Sequence, residues 1–121
     1  MSLVTLAIAG SALGILVTGA LAMLFLRDPV RGMAAVNHRA EQLPQVMADR
    51  YIAFAALALG ATVYADLKVI AVLFAVFAFM GLADAVIYAR AGHAWMKHFA
   101  AGVAAAVVAA VALAALFGAT V

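Results

Sequence analysis

The feature that most constrains this fold is an apolar run from Leu3 to Leu26 that contains no charged side chain. A helix needs about 20 apolar residues to cross the hydrocarbon core of a bilayer, and this run is long enough. It stops before Pro29, and a helix usually ends ahead of a proline. No positive residue precedes the run, so we expect a retained helix over residues 3–26 rather than a cleaved signal peptide.

Three further apolar runs have comparable length. Pro44 is well placed in the first turn of the second helix, and polar turns at Asp66 and at Gly92 separate the later runs. These runs predict helices over approximately 44–65, 69–89 and 94–118. We therefore expect an all-α membrane protein, a four-transmembrane-helix bundle with up-down-up-down topology, in which residues 1–121 form a single transmembrane domain.

Composition excludes a water-soluble fold of this size. The chain is 71% hydrophobic and 10% charged, whereas soluble domains are about 45–50% apolar and about 25% charged. Small domains keep much of their surface exposed, so these side chains must face lipid. The net charge is +2, and the cations that cause it lie beside the apolar runs. We therefore expect membrane lipid, and no nucleic acid, as a partner.

The signatures of common catalytic and metal centres are missing from the sequence. Without cysteine there is no disulfide, thiolate metal site or cysteine nucleophile. There is also no glycine-rich phosphate loop, metalloprotease motif or nucleophile elbow, and the histidines are scattered. We therefore expect neither a metal nor another cofactor.

The loop charges predict an orientation. The first and third loops must lie on one side of the membrane, and with the adjacent helix starts they carry six cations, whereas the other side carries only Lys68. The six are Arg27, Arg31, Arg39, Arg50, Arg90 and Lys97. Cytoplasmic loops are enriched in Lys and Arg. We therefore expect a multi-pass protein of the inner (cytoplasmic) membrane with both termini outside, in the periplasm. The linker over residues 30–43 is compatible with either a short interfacial helix or an irregular loop.

The charges inside the predicted spans mark a candidate site. Arg50 lies 16 residues before the turn at Asp66, and Asp84 lies 18 residues after it, so the two are nearly level. Asp84 and His98 are each about seven residues from the next turn. Tyr88 lies one turn from Asp84 on the same helix face. The spacing therefore predicts a buried polar cluster of Arg50, Asp84, His98 and Tyr88 near the cytoplasmic boundary.

Two interpretations of this cluster remain open. In the structural one, an Arg50–Asp84 ion pair joins two helices and His98 adds a hydrogen bond. In the functional one, Asp84 or His98 acts as acid or base and Arg50 holds an anionic group, because ionisable side chains inside membranes often mark sites.

Small residues predict close helix packing. Gly10, Gly14 and Thr18 form one row on the first helix. Another row, on the fourth helix, consists of Gly102, Ala106, Ala110, Ala114 and Gly118. Such rows let backbones approach closely, either within one bundle or across a possible homodimer.

Three segments resemble a known family. They are Ala48-Asp49-Arg50-Tyr51 with the apolar stretch to Gly60, Gly81-Leu82-Ala83-Asp84-Ala85, and Trp95-Met96-Lys97-His98. The chain thereby resembles the DUF4267 family of small bacterial four-span membrane proteins, although Ala48-Asp49 precedes the arginine where that family more often has glycine. The resemblance implies the four-span fold and the positions of Arg50, Asp84 and His98, and it implies no activity. The chain also looks broadly similar to DoxX-like membrane proteins.

Several functions fit this pattern. The first is binding of a lipid or other apolar small molecule, or of a membrane partner, by a bundle with one polar layer. The second is an intramembrane isomerase-like enzyme that uses Asp84 and His98. The third is a dimeric transporter of ions or small molecules, and the fourth is a purely structural set of spans.

Overall fold

The computed structural model describes residues 2–118, and this part of the chain is all-α. Its five α-helices are α1 (Leu3–Arg27), α2 (Pro29–Ala35), α3 (Leu43–Tyr64), α4 (Leu67–Arg90) and α5 (Met96–Gly118). A short 3₁₀ helix covers Ala40–Gln42. Four helical segments are long and apolar enough to cross a bilayer, the second of them counted from Ala40 to Tyr64. The predicted all-α class with four long apolar helices is confirmed, and the chain is a small multi-span membrane protein.

The chain divides into two compact units, Met1–Asp49 and Arg50–Val121, which are described separately. The single domain over residues 1–121 stays a prediction. In the first unit, α1 has no buried residue. Asp28 ends α1 and caps α2, where its carboxylate accepts a hydrogen bond of 3.0 Å from the Arg31 N–H. The linker after α1 therefore begins with a helix, one of the two forms that the sequence allows.

Within the first unit, α2 packs on α1 through one aromatic ring. A Cβ added to Gly32 would lie 2.7 Å from the Phe25 ring, so only glycine lets the two helices approach this closely. α2 ends at Ala35, and Asn37, two residues later, has a left-handed φ of 56°. The His38 N–H reaches the Met33 carbonyl and the Asn37 N–H reaches the Ala34 carbonyl. These are the two bonds of a Schellman motif, which reverses the chain after α2.

The second unit is built on the antiparallel pair of α4 and α5. α4 begins at Asp66, whose carboxylate accepts hydrogen bonds from the Lys68 and Val69 N–H groups. It ends in a Schellman motif at Gly92, which has a φ of 75°. Because only residues 91–95 connect the two helices, α5 must return alongside α4.

Alanine and glycine fill the interface of α4 and α5. The buried residues of α4 are Ala71, Ala78 and Ala85. Those of α5 are Gly102, Ala105, Ala109 and Ala112. Steps of seven on α4, and of three and four on α5, are the spacing of left-handed coiled-coil packing. The side chains are so small that the two backbones lie in direct contact.

Of the predicted packing row of the last helix, only Gly102 is buried within the chain. Ala106 is half-buried, and Ala110, Ala114 and Gly118 are exposed. A row of residues four apart drifts by about 40° at each step around a helix with 3.6 residues per turn. Alternating steps of three and four keep to one face, and these are the steps that the buried residues follow. The homodimer stays a prediction.

Candidate functional site

The closest approach of α4 and α5 fixes the position of the candidate site. A Cβ added to Gly81 would lie 2.7 Å from the Gly102 backbone, and one added to Gly102 would lie 2.8 Å from the Leu82 backbone nitrogen. Asp84 lies three residues after Gly81, and His98 lies four residues before Gly102. Each is therefore one helical turn from this crossing, on the side of the α4–α5 turn.

Asp84 and His98 meet across the crossing. The Asp84 Oδ2 and His98 Nδ1 atoms are 3.8 Å apart, which is an ion-pair distance when the imidazole is protonated and is too long for a direct hydrogen bond. The His98 side chain is 33% exposed and the Asp84 side chain 49%. Their contact agrees with the prediction that Asp84 and His98 lie at the same depth in the membrane. Both side chains are half-buried rather than buried.

Tyr88 holds the imidazole from the other side. Its ring stacks on the His98 ring with centroids 4.7 Å apart and planes only 4° from parallel. The His93 ring also approaches Tyr88, at 6.4 Å and 64°. The stack restrains the rotation of His98, so that the imidazole stays beside Asp84.

Asp84 and His98 open into a cleft of about 540 Å³. Its walls come from α3, α4 and α5 of the second unit. The lining residues are Tyr51, Phe54, Phe74, Phe77, Met80, Gly81, Asp84, Lys97, His98, Ala101, Ala104, Ala105 and Val108. This volume lies in the range of about 300–1,000 Å³ that is typical of small-molecule sites.

The cleft is polar at one end and apolar along the rest of its length. Asp84, Lys97 and His98 are the charged or titratable lining residues nearest the α4–α5 turn. Phe74 lies ten residues before Asp84, and at 1.5 Å per residue this places it about 15 Å further along α4. The distribution of polar and apolar residues along the cleft thus matches a molecule with a polar head and an apolar body.

Aromatic rings link the α3 and α4 walls of the cleft. Phe54 lies 5.6 Å from Phe77, which in turn lies 5.5 Å from Phe74. The Tyr51 ring meets Phe54 edge to face at 5.9 Å. Such pairs are worth about 0.5–1.5 kcal/mol each beyond their buried area. The Phe54–Phe77 contact fixes which face of α3 points into the cleft.

Arg50 does not join the other predicted site residues. It is exposed, it does not line the cleft, and within residues 2–118 no ion pair joins it to Asp84. Its neighbour Tyr51 takes the inward position instead. Residues 50 and 51 both lie about one turn before Phe54, so helical spacing alone does not separate them.

Lys97 is the lining residue whose role sequence reasoning missed. In the sequence, Lys97 enters only the predicted orientation, as one of six cations, although it precedes His98 directly. Lys97 could have been identified as a site residue because it lies in the first turn of a span and next to a titratable residue. Among residues 2–118, no three His, Asp or Glu side chains converge in a way that could hold a metal ion.

Comparison with known proteins adds no relative. No family model, curated protein or solved structure matches this chain. The resemblance to the DUF4267 family therefore stays a prediction, and only the geometry of the cleft points to a function.

Proposed function

We propose that this protein binds, inside the membrane, a lipid or another apolar molecule that carries a polar head. The observation that supports this function is the cleft of about 540 Å³ with Asp84, Lys97 and His98 at one end. Polar groups within a bilayer are costly unless they meet a partner, and a bound head group would be one. The apolar body would lie along Phe74, Phe77 and Met80.

The cleft has walls that can stay open without a ligand. The crossing of Gly81 and Gly102 joins two backbones, which cannot slide sideways without a clash. On the opposite wall, ring contacts rather than close backbone contacts join Phe54 to α4. The wall of α4 and α5 is thus fixed, and the α3 wall opposite can adapt. Such an arrangement suits a site that admits an apolar molecule from the surrounding lipid.

Filling the cleft tests this function. Ala104 lines the cleft and is exposed to it, so Ala104→Phe would occupy ligand space without entering the α4–α5 interface. Ala110→Phe is the matched control, because Ala110 is exposed on the same helix and does not line the cleft. In native mass spectrometry we expect a bound molecule of defined mass on the wild type and on Ala110→Phe, and its loss from Ala104→Phe. Equal occupancy in all three proteins, or none in any, would reject the proposal.

A second function is favoured by the contact between Asp84 and His98. A carboxylate beside an imidazole is a common acid–base pair, and here it faces an apolar cleft. An intramembrane isomerase would move a proton between carbon atoms of its substrate. In D₂O, such an enzyme would place deuterium on carbon in the bound molecule, and Asp84→Asn would stop this exchange without emptying the cleft. A bound molecule that gains no deuterium on carbon would exclude a proton transfer in which Asp84 or His98 exchanges its proton with water.

We also propose an inner-membrane location with both termini in the periplasm. The support is the excess of Lys and Arg in the first and third loops and the adjacent helix starts. The chain has no cysteine, so single-cysteine variants report the side directly. A thiol reagent that cannot cross the inner membrane should label Lys68→Cys and spare His93→Cys in intact cells. The reverse pattern would invert the topology.

A further inference from the structure

We infer that the head of the bound molecule is an anion, a carboxylate or a phosphate, and that Lys97 is the residue that binds it. This inference rests on the proposed function, because it concerns the polar end of the same cleft. It goes beyond that function by naming the chemistry of the head group.

Two charged side chains at the polar end of the cleft, Asp84 and Lys97, differ in their contacts. The Asp84 carboxylate faces the His98 imidazole at 3.8 Å, an ion-pair distance when the imidazole is protonated. Lys97 is exposed and lines the same cleft, and no hydrogen bond or ion pair joins its ammonium group to any residue within 2–118. The side chain that lacks a partner is therefore a cation, and charge complementarity calls for an anion.

The possible head groups meet these two charges differently. A cationic head in the cleft would be attracted by Asp84 but repelled by Lys97, which lines the same cleft, and repulsion between like charges is strong where the surroundings are apolar. A neutral head would leave Lys97 without a counter-charge. An anionic head gives Lys97 a counter-charge and leaves the contact between Asp84 and His98 in place.

The position of Lys97 along the membrane also fits an anionic head. Lys97 is in the first turn of α5 (Met96–Gly118), so it lies close to one end of a span. A lysine there can bury its methylene stem along the apolar wall and place its charge at head-group depth. The positive end of the helix dipole lies at the same end of α5 and also favours an anion.

Titration with molecules of one chain length tests the inference. The probes are laurate, dodecyl phosphate, dodecanol and dodecyltrimethylammonium, added to the full chain in nanodiscs and followed by native mass spectrometry. We expect the two anions to bind at least about tenfold more tightly than the alcohol, and the ammonium compound to bind most weakly, because hydrogen bonds to a charged group are stronger than those between neutral groups.

Variants of Lys97 assign the effect to one side chain. Lys97→Gln should weaken the binding of both anions by about tenfold or more and leave dodecanol unchanged, and Lys97→Arg should restore anion binding. Lys68→Gln is the matched control, because it removes the same charge from a residue that does not line the cleft. Unchanged dodecanol binding also shows that Lys97→Gln still folds.

The outcomes separate failure of this inference from failure of the proposed function. Ammonium binding as tight as anion binding, or full anion affinity in Lys97→Gln, would overturn the anionic head and leave the cleft intact. Equal binding of all probes to wild type and Ala104→Phe would instead reject the cleft itself. A lysophosphatidylglycerol of the same chain length identifies the source of the anion. Tight binding indicates a membrane phospholipid, and exclusion indicates a free acid or phosphate monoester.

Discussion

α1 and the α4–α5 pair are both apolar enough to cross a membrane, yet they use their small residues in different ways. Gly10, Gly14 and Gly19 of α1 have no atom within 4 Å of an added Cβ. Gly81 and Gly102 have backbone atoms closer than 3 Å. Hydropathy therefore determines that a helix enters the bilayer, and the residue opposite a glycine determines whether that glycine brings two helices together.

The connection between helices contributes to this difference. α4 and α5 are joined by residues 91–95 alone, and a connection this short makes them antiparallel neighbours. α1 leads instead into α2, which is only 7 residues long and packs back on Phe25. That contact lies near the end of α1 and does not involve Gly10, Gly14 or Gly19.

The largest expected effect comes from replacing a glycine in each region. Gly102→Leu places a side chain where a Cβ already lies 2.8 Å from the Leu82 backbone. Because backbone cannot move aside as a side chain can, we expect a loss of more than about 3 kcal/mol in the free energy of unfolding. Unfolding in mixed micelles can be followed by the fluorescence of Trp95, the single tryptophan, which contacts Phe99 of α5.

Gly14→Leu is the control for this effect. The same side chain is added to a helix position with nothing within 4 Å, so we expect no loss, and the higher helix propensity of leucine should raise the free energy of unfolding by up to about 1 kcal/mol. A loss in Gly14→Leu as large as that in Gly102→Leu would show that α1 packs as tightly as the α4–α5 pair, and the contrast between the two regions would then fail.

The spans could be predicted from the sequence because an apolar run of sufficient length has few alternatives. The rotation of each helix could not, because lipid is as apolar as a protein interior. A soluble helix shows its inner face by contrast with its polar face, and α5 has no such contrast over most of its length. The row of residues four apart was therefore an equally reasonable choice, although Ala105, Ala109 and Ala112 form the interface.

The same physical reason limited prediction of the site. Asp84 and His98 could be placed at one level by counting from a short turn, because depth along a helix follows from residue number. Arg50 satisfied the same count, but depth does not fix the direction in which a side chain points. The aromatic contact of Phe54 with Phe77 turns Tyr51 into the cleft, and a contact between two helices is not encoded in the spacing of either.

A second pair of variants tests which face of α5 packs on α4. Ala109→Leu inserts a larger side chain at a position that is 7% exposed, whereas Ala110 is exposed. We expect Ala109→Leu to lower the free energy of unfolding by about 1–3 kcal/mol and Ala110→Leu to change it by less than about 0.5 kcal/mol. The Trp95 unfolding curve measures both. A larger loss in Ala110→Leu would restore the row of residues four apart as the packing face.

The smallest expected effect lies in the turn that leads into the packed pair. Ala65 directly follows α3 and has a left-handed φ of 57°. Its N–H donates a hydrogen bond of 2.9 Å to the Ala61 carbonyl. After α4, the left-handed residue is a glycine, Gly92. A left-handed alanine costs roughly 1–2 kcal/mol, and added freedom in the unfolded chain offsets part of any gain from glycine. Ala65→Gly should therefore raise the free energy of unfolding by about 1 kcal/mol or somewhat less.

Ala91→Gly is the matched control, because Ala91 has a φ of −81° and gains nothing from glycine. If Ala91→Gly stabilises the protein as much as Ala65→Gly does, the strain assigned to Ala65 is absent.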